Sequence, residues 1–279
     1  MTLRRVLVRA AAVALLGALV WGFWLEPSSL RVQQVDLDVG WPGSRPLRVA
    51  VLSDLHVGAP YYGLSRLPEV VARTNATHPD LICILGDVVT LGVAGGAFVP
   101  PEPIAAALGR LRATSGVVAV MGNHDRAFDG PRVQRALESA GIRVLEDTAV
   151  RVRTPAGALW IAGVSDLWRG PHDLPRALRA VTDSDTPVLL ITHNPDLFPE
   201  VPDRVMLTLA GHTHGGQVRL PLIGAPIVPS AYGQRFVAGH IVERGRHLFV
   251  STGIGTSDIP VRFGVPPTIF VLTLRGASG

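Results

Sequence analysis

The sequence contains no lysine, so arginine accounts for all 26 of its Lys and Arg residues. The formal net charge is only +4, and the arginines are dispersed along the chain. Nucleic-acid-binding domains typically gather basic residues on one face or along one helix. This chain has no basic stripe and only 6% aromatic residues, so we expect no nucleic-acid partner.

Cysteine is almost absent as well. The single residue, Cys83, excludes an intrachain disulfide and lies in the apolar run 81–85, where we expect a small buried side chain. Cysteine usage therefore does not indicate a cellular compartment. The 279 residues, 47% of them hydrophobic, suffice for one or two domains with a sizeable core.

Charge is missing from one long stretch near the N-terminus. The 16 residues from Ala10 to Leu25 are uncharged. With Arg9 snorkelling to the headgroups, the stretch extends back to Val6 and has 20 residues, which as a helix would span roughly 30 Å. Trp21 and Trp24 fall at the far end, where aromatic residues commonly lie at a membrane interface. We therefore predict a membrane anchor over residues 1–26.

The orientation of this anchor follows from its flanking charges. Arg4, Arg5 and Arg9 lie on the N-terminal side, and positive residues mark the cytoplasmic side. We expect a single-pass protein of the cell membrane with its N-terminus in the cytoplasm and everything after Glu26 outside. The alternative is a cleaved signal peptide, for which Arg4-Arg5 is a weak twin-arginine signal, but no small-x-small cleavage site follows the apolar run.

The remaining chain has the pattern of an α/β domain. Strands and helices alternate early and strands dominate late, which predicts sheet faces covered by helices. Residues 27–46 form a lead-in segment with an alternating strand from Val35 to Val39, and the catalytic domain is expected over residues 47–279. A helix is expected to begin at Asp129-Gly130-Pro131 and to run to Gly141.

Five apolar runs in this domain each end in polar residues. The runs are Leu47 to Leu52, Leu81 to Leu85, Val117 to Met121, Val188 to Thr192 and Val205 to Ala210. The polar residues that follow them are, in order, Asp54 and His56; Asp87; Asn123 and His124; His193; His212 and His214. Binding sites of α/β sheets lie at the carboxyl ends of strands, so we expect these side chains to converge.

Carboxylate, amide and imidazole groups without thiolates suit Mn²⁺, Fe or Zn²⁺ in a hydrolytic site. Eight such groups are too many for one ion. Two ions about 3.5–4 Å apart would share a carboxylate, lower the pKa of a bridging water and clamp a phosphoryl oxygen. The set therefore favours phosphoester hydrolysis.

These motifs resemble a known family. Asp54-x-His56, Gly86-Asp87, Gly122-Asn123-His124-Asp125, His193 and Gly211-His212-x-His214, in this order, resemble the calcineurin-like metallophosphoesterase superfamily. The run Gly-His-Thr-His-Gly-Gly-Gln, together with an N-terminal membrane segment, resembles its bacterial membrane-associated phosphodiesterase branch, which has lipid-directed members. The implied fold is two mixed β-sheets packed as a sandwich and flanked by helices.

The resemblance also implies a role for each residue. Asp54, His56 and His214 would hold one ion, Asp87 would bridge, and Asn123, His193 and His212 would hold the second. Hydroxide bridging the two ions would be the nucleophile. His124 would be the catalytic residue, either as general acid or as a charge stabiliser, with Asp125 fixing its orientation.

Three features bear on the substrate. Gly86-Asp87 continues Val88-Val89-Thr90 and lacks the Asp-Arg-Gly extension of protein Ser/Thr phosphatases, which argues against that activity. Arg262 is expected either to contact substrate phosphate or to form a structural salt bridge. The apolar segment Leu220 to Val228 is either a sign of an amphiphilic substrate or an ordinary buried loop.

We therefore expect a membrane-anchored phosphodiesterase or phosphatase with two divalent ions, Mn²⁺ first and Fe or Zn²⁺ as alternatives. Its partners would be the lipid bilayer and a lipid-like or cell-envelope phosphoester. The alternatives are a nucleotide or UDP-sugar-lipid pyrophosphatase and a non-catalytic, metal-stabilised membrane scaffold. Asp54 and His56, two apart on an extended backbone, should point the same way. His212 and His214 should instead diverge toward different ions, which requires their loop to leave the extended conformation.

Overall fold

A computed structural model describes residues 3–276, and two six-stranded sheets form its centre. The strands are β1 (Arg31–Asp38), β2 (Leu47–Leu52), β3 (Leu81–Ile84), β4 (Val117–Ala119), β5 (Arg143–Val144), β6 (Thr148–Thr154), β7 (Gly157–Gly163), β8 (Val188–Ile191), β9 (Val205–Ala210), β10 (Gly239–Glu243), β11 (Arg246–Val250) and β12 (Thr268–Arg275). The α-helices are α1 (Leu3–Val20), α2 (Glu26–Ser28), α3 (Leu67–Asn75), α4 (Pro101–Leu108), α5 (Asn123–Ser139) and α6 (Leu174–Arg179).

Both sheets are mixed. The first has the order β1-β12-β2-β3-β4-β5, with only the β12–β2 pair antiparallel. The second has the order β10-β11-β9-β8-β7-β6, with antiparallel pairs at its two edges. Strands β2 to β5 of the first sheet therefore run parallel to one another, as do β7, β8, β9 and β11 of the second, and their carboxyl ends lie together at one edge of each sheet.

The two sheets pack face to face because their inner strands are apolar on both sides. All residues of β3 and β8 are buried, as expected for parallel strands covered on both faces. One core cluster joins the facing sides of the sheets and includes Val51, Cys83, Leu189 and Leu207. Separate clusters pack α3, α4 and α5 on the first sheet and α6 on the second. The predicted sandwich flanked by helices is confirmed.

The helix after β4 differs from the prediction. It begins at Asn123, six residues before Asp129, and the non-helical backbone of Asp129 (φ −168°, ψ 82°) divides it into two segments. The first segment forms because Gly122 is extended and Asp125 accepts a hydrogen bond from the Gly122 N–H, which together make an N-terminal cap. The predicted start at residues 129–131 is therefore the start of the second segment only.

The N-terminal segment is one long helical stretch. Residues Leu3–Ser28 are long and apolar enough to cross a membrane, with a mean hydropathy of 2.1. Helix α1 continues through a π-helical turn, Trp21–Leu25, into α2. Strand β1, within the predicted lead-in segment, pairs in parallel with β12 at the edge of the first sheet. The division at residue 46 stays a prediction.

Candidate metal centre

The predicted ligands lie in tight turns directly after the inner strands. Asp54, His56, Asp87, His212 and His214 all have φ between +40° and +70°. Left-handed backbone is uncommon outside glycine, although Asp and His adopt it more readily than most residues. These turns therefore direct the side chains of Asp54 and His56 into the site, and the expectation that an extended backbone does so is wrong. The loop of His212 and His214 does leave the extended conformation.

One group of donors surrounds the end of β2. The Nε2 atoms of His56 and His214 are 3.2 Å apart, and His214 Nε2 is 3.6 Å from Asp54 Oδ1. His56 Nε2 is also 3.5 Å from Asp87 Oδ2. Ligand atoms of Asp54, His56 and His214 all lie within 4.8 Å of one another, a spacing that could hold a metal ion.

A second group lies beside the first, at the ends of β3, β4, β8 and β9. His193 Nε2 is 3.1 Å from Asn123 Oδ1, 3.2 Å from His212 Nδ1 and 3.3 Å from Asp87 Oδ2. Asp87 therefore contacts members of both groups through the same oxygen, Oδ2. His212 and His214 point into different groups, as the resemblance implies.

The protonation state of His193 decides what these short distances mean. Its Nδ1 lies 2.7 Å from the carbonyl oxygen of Leu85, which can only accept, so Nδ1 carries the hydrogen of the neutral ring. Nε2 then presents a lone pair to Asn123 Oδ1 and Asp87 Oδ2, which are also acceptors. These three atoms all carry lone pairs, and they repel one another unless a cation lies between them. The set of ligand atoms therefore fits a divalent ion.

The electrostatics agree with this requirement. Burial lowers the pKa of His56 and of His212 to about 3 and that of His214 well below its usual value, so these imidazoles are neutral ligands. Burial also opposes charge on His193, but Asp87 outweighs it and raises the pKa of His193 to about 10, so Nε2 attracts a cation, which can be a proton or a metal ion. Asp87 itself is buried, yet His193 holds its pKa well below the ordinary value. The centre thus attracts positive charge at Asp87.

His124 lies over the same centre but is held differently. Its backbone N–H donates to Asp87 Oδ1 at 2.8 Å, and its ring packs edge-on against His56 with centroids 4.7 Å apart. The side chain is half-buried, and Nδ1 has no hydrogen-bond partner among the described residues. A ring nitrogen of His124 lies within 4.8 Å of the ligand atoms of His56 and Asp87, so its predicted role outside the metal shell stays a prediction.

Asp125 does not orient His124, contrary to the expectation. Its Oδ1 accepts hydrogen bonds from the N–H groups of Val88 and Val89, and its Oδ2 accepts from Gly122. The buried carboxylate therefore joins the loop after β3 to the start of α5. It fixes the relative position of the loops that carry Asp87 and His124 and has no direct contact with the imidazole of its neighbour.

Arg262 is also placed differently from the expectation. It is fully buried, and its guanidinium donates to the carbonyl oxygens of Thr252, Gly255 and Val265 at 2.5–3.1 Å. Burial lowers its pKa to about 10, so it stays charged at neutral pH. Arg262 therefore holds the loop 252–265 by hydrogen bonds to its backbone and cannot reach a substrate in the cavity.

A cavity of about 320 Å³ opens over the two groups of donors. It is also lined by Gln217, the last residue of the Gly-His-Thr-His-Gly-Gly-Gln run, and by several residues that the motifs do not contain, namely Trp168, Ile227, Ser257 and Asp258. Trp168 packs edge-on against His212, with ring centroids 4.2 Å apart. It follows β7, whose carboxyl end lies at the same edge as those of β8 and β9, so the strand-end rule could have located it.

The similarity of this chain to known proteins agrees with the geometry. The family model of the calcineurin-like phosphoesterases matches residues 47–216. Phosphodiesterase YaeI of Escherichia coli is 30% identical over 277 residues, which cover 97% of this chain and 98% of that protein. The uncharacterized metallophosphoesterase YkuE of Bacillus subtilis is 31% identical over 234 residues, which cover 83% and 80% of the two chains.

A solved structure supports the fold alone. The sulfate thiohydrolase SoxB of Thermus thermophilus superposes with a TM-score of 0.50 at 14% sequence identity. The match covers 85% of this chain and 58% of SoxB, which is therefore the longer protein.

Proposed function

This chain belongs to the calcineurin-like phosphoesterase family, and from that premise we propose that it hydrolyses a lipid-like or cell-envelope phosphoester at a centre of two divalent ions. The observation that carries the proposal is the pair of donor groups that share Asp87 beneath His124. It is a phosphoester hydrolase, and the finer proposal concerns its ligands, its metal and its substrate.

Each group of donors has a role in this proposal. Asp54, His56 and His214 would hold one ion, with Asp87 shared. Asn123, His193 and His212 would hold the other (Mn²⁺ for both, with Fe or Zn²⁺ as alternatives). When bound, such a pair of ions lowers the pKa of water and clamps phosphoryl oxygens. The neutral, buried imidazoles of His56, His212 and His214 bind without first releasing a proton, whereas an ion at His193 would displace the proton of Nε2. Leu85 fixes the ring of His193 for coordination.

The proposed task of His124 is proton transfer. Its hydrogen bond from the backbone N–H to Asp87 fixes the main chain, and its half-buried ring is left free to face the leaving oxygen of the substrate. A proton held there would neutralise the developing alkoxide, a contribution typically worth 10²–10⁴-fold in rate. This step matters most when the leaving group is a poor one.

The amphiphilic nature of the substrate is supported by the surface beside the cavity. Residues Leu222, Ile223 and Ile227 of the apolar segment are exposed, so the alternative of an ordinary buried loop is wrong. Ile227 also lines the cavity over the donors. A phosphoester with an apolar portion would find a complementary surface there. The proposed setting is the cell membrane, with the catalytic domain on the extracytoplasmic side.

Two variants test the mechanism in the full-length protein. Asp87→Ala should lose both bound metal and hydrolysis of bis-p-nitrophenyl phosphate in Mn²⁺. His124→Ala should keep its metal, and its rate should fall far more for an alkyl phosphodiester than for the p-nitrophenyl ester, whose leaving group needs no proton. His240→Ala, an exposed histidine that stacks on His247, is the matched control and should behave as wild type. A wild-type protein that binds two ions and hydrolyses no phosphoester would refute the proposal.

The substrate class is tested with a panel of phospholipids, UDP-linked lipids and nucleotides at equal concentration. The proposal expects the highest kcat/KM for an acylated phosphoester. Preference for a soluble nucleotide would instead favour the nucleotide pyrophosphatase alternative.

A further inference from the structure

The far end of the N-terminal helix is fixed to the catalytic domain. Gly22 is buried there, and its carbonyl oxygen accepts a hydrogen bond from the Arg262 N–H at 2.9 Å. The buried carboxylate of Glu26 accepts from the N–H of Gly264 at 2.9 Å, and the hydroxyl of Tyr61 donates to the carbonyl oxygen of Phe23 at 2.5 Å. The helix therefore joins the domain as a docked element.

This docking fixes the position of the domain surface relative to the bilayer that the helix would cross. Helix α1 has 18 residues, which at 1.5 Å each span about 27 Å, close to the roughly 30 Å hydrocarbon core of a bilayer. Trp24 is 67% exposed, and it follows α1 where aromatic residues anchor helices at the headgroups. Tyr61 and Phe263, two of the domain residues beside Gly22 and Phe23, would then lie at the membrane surface.

A direct backbone connection leads from Phe263 to the apolar segment. Phe263 exchanges hydrogen bonds with the strand-like stretch beside it, donating to Gln217 at 2.9 Å and accepting from Arg219 at 2.8 Å. The next residues form what we call the apolar loop, residues 220–228, which contains no charged side chain. A turn closed by Leu220 and Gly224 presents Leu222 at its tip, fully exposed.

A groove connects this loop with the metal centre. A cavity of about 330 Å³ lies between the apolar loop and residues 258–261 and is lined by Val218, Pro226, Ile227, Ile259 and Val261. It shares Gly216, Gln217, Ile227 and Asp258 with the cavity over the donors. An apolar chain in this groove would thus end beside the predicted metal ligands.

We propose that the apolar loop and the exposed end of the N-terminal helix form one lipid-binding surface, and that the groove admits an acyl chain of the substrate. Exposed apolar residues rimming a binding cavity mark an interaction site. A bilayer is the partner that fits, because the helix, the docked segment and the loop are continuous and the loop is uncharged. The membrane contact stands on geometry, whereas the role of the groove rests on the proposed function.

The membrane contact is tested with the full-length protein in nanodiscs. Because the only native cysteine, Cys83, is buried, a cysteine introduced by Leu222→Cys can be labelled selectively with an environment-sensitive fluorophore. Val242→Cys is the matched control, since Val242 is 54% exposed on the edge strand β10. We expect a blue-shifted emission and quenching by brominated lipids at residue 222 and neither effect at residue 242. Equal, unquenched spectra would overturn the contact, and so would a blue shift without lipid quenching, which would indicate a protein neighbour.

The groove is tested by activity in the same nanodiscs. The variant Ile259→Asp puts a charge in the groove at a residue that does not line the cavity over the donors. It should lower hydrolysis of an acylated phosphoester at least tenfold and leave hydrolysis of bis-p-nitrophenyl phosphate unchanged. An unchanged rate on the acylated substrate would overturn the groove's role. Equal losses on both substrates would overturn it as well, since Ile259 would then support the site as a whole. Absence of hydrolysis in wild type would refute the proposed function, while the quenching result would still decide the membrane contact.

Discussion

Gly122 lies so close to Asp87 that only a residue without a side chain fits there. A Cβ atom built on Gly122 would overlap the Oδ1, N and Cγ atoms of Asp87. The backbone of Gly122 is extended (φ −94°, ψ −179°), so the requirement for glycine here comes from space and not from conformation. The carboxylate shared by the two donor groups can therefore take its position only because residue 122 has no side chain.

We expect Gly122→Ala to displace Asp87 and to lower both metal content and activity. Loss of a well-placed supporting contact typically costs 10–100-fold in metal affinity, and a displacement of about 1 Å can cost about 10²-fold in rate. Metal content by elemental analysis and the rate on bis-p-nitrophenyl phosphate measure the two effects.

Gly63→Ala is the control for this change. Gly63 has φ −72° and open space around the added methyl group, so both quantities should match wild type. If Gly122→Ala retained full metal content, the Asp87 carboxylate would have another position from which to bind.

At this scale, the identity of the converging side chains could be predicted from the sequence, but their backbone conformation could not. All eight residues named from the strand ends meet in one place, because parallel strands bring their carboxyl ends together. The left-handed turns at Asp54 and His56 have no signature in residue spacing, since the Asp-x-His pattern is compatible with either backbone. Trp168 and Ser257 were missed because each lies alone in a loop, outside any motif of polar residues.

At the scale of elements, the loop 252–265 depends on one buried arginine. Arg262 satisfies three backbone carbonyls that would otherwise be buried without a donor, and its own N–H donates to Gly22 of the N-terminal helix. The loop also carries Ser257 and Asp258 to the cavity. A single residue thus joins the N-terminal helix through its backbone and the loop at the rim of the site through its side chain.

Arg262→Met should destabilise the protein by about 3–5 kcal/mol, because it leaves these carbonyls buried without partners. Chemical denaturation of the full-length protein in detergent measures the loss. Arg132→Met is the control: it breaks an exposed ion pair with Glu102, and such pairs contribute little. Equal effects of the two substitutions would contradict the role given to Arg262.

Strand β1 raises a separate question about the lead-in segment. Leu37 is 2% exposed and packs in the core between the sheets, although it precedes the predicted domain boundary at residue 47. Leu37→Ala should lower the free energy of unfolding by about 2–5 kcal/mol, as expected for a buried leucine. Val32→Ala, on the same strand but 37% exposed, should change it much less. A neutral Leu37→Ala would place the lead-in segment outside the folding unit.

Elements with one strong signal were predicted well, and elements that depend on distant contacts were not. Strand β9 has the bounds that its continuous apolar run indicates. The start of α5 was missed because the residues after Gly122 are polar and have the composition of a loop. They become helical through the hydrogen bond from Gly122 to Asp125, together with the bonds that hold Asp125 to the loop after β3.

On the scale of the whole molecule, the two sheets hold the site between them. The first sheet supplies Asp54, His56, Asp87 and Asn123, and the second supplies His193, His212 and His214. Neither sheet has a complete set of donors. Ions bound at this place would connect the two sheets in the folded state only, and so would stabilise it by mass action.

Removal of metal should therefore lower the melting temperature. One ion at about 100 times its Kd contributes about 2.7 kcal/mol, which in a domain of this size corresponds to a shift of about 5–10 °C. Thermal unfolding with a chelator, and then with Mn²⁺ restored, measures the shift. Asp87→Ala should not respond to Mn²⁺, whereas Asp185→Ala, in an exposed loop, should respond as wild type. An identical melting temperature with and without chelator would show that the sheets hold together without ions.

The left-handed backbone of five predicted ligands has a consequence for how this sequence can evolve. A non-glycine residue in that conformation costs of the order of 1–3 kcal/mol, so the catalytic turns are locally frustrated and the rest of the fold must outweigh them. Selection for stability alone would replace His212 or His214 with glycine. A lineage released from catalysis should lose its imidazoles at these turns first, while the apolar strands that carry them stay unchanged.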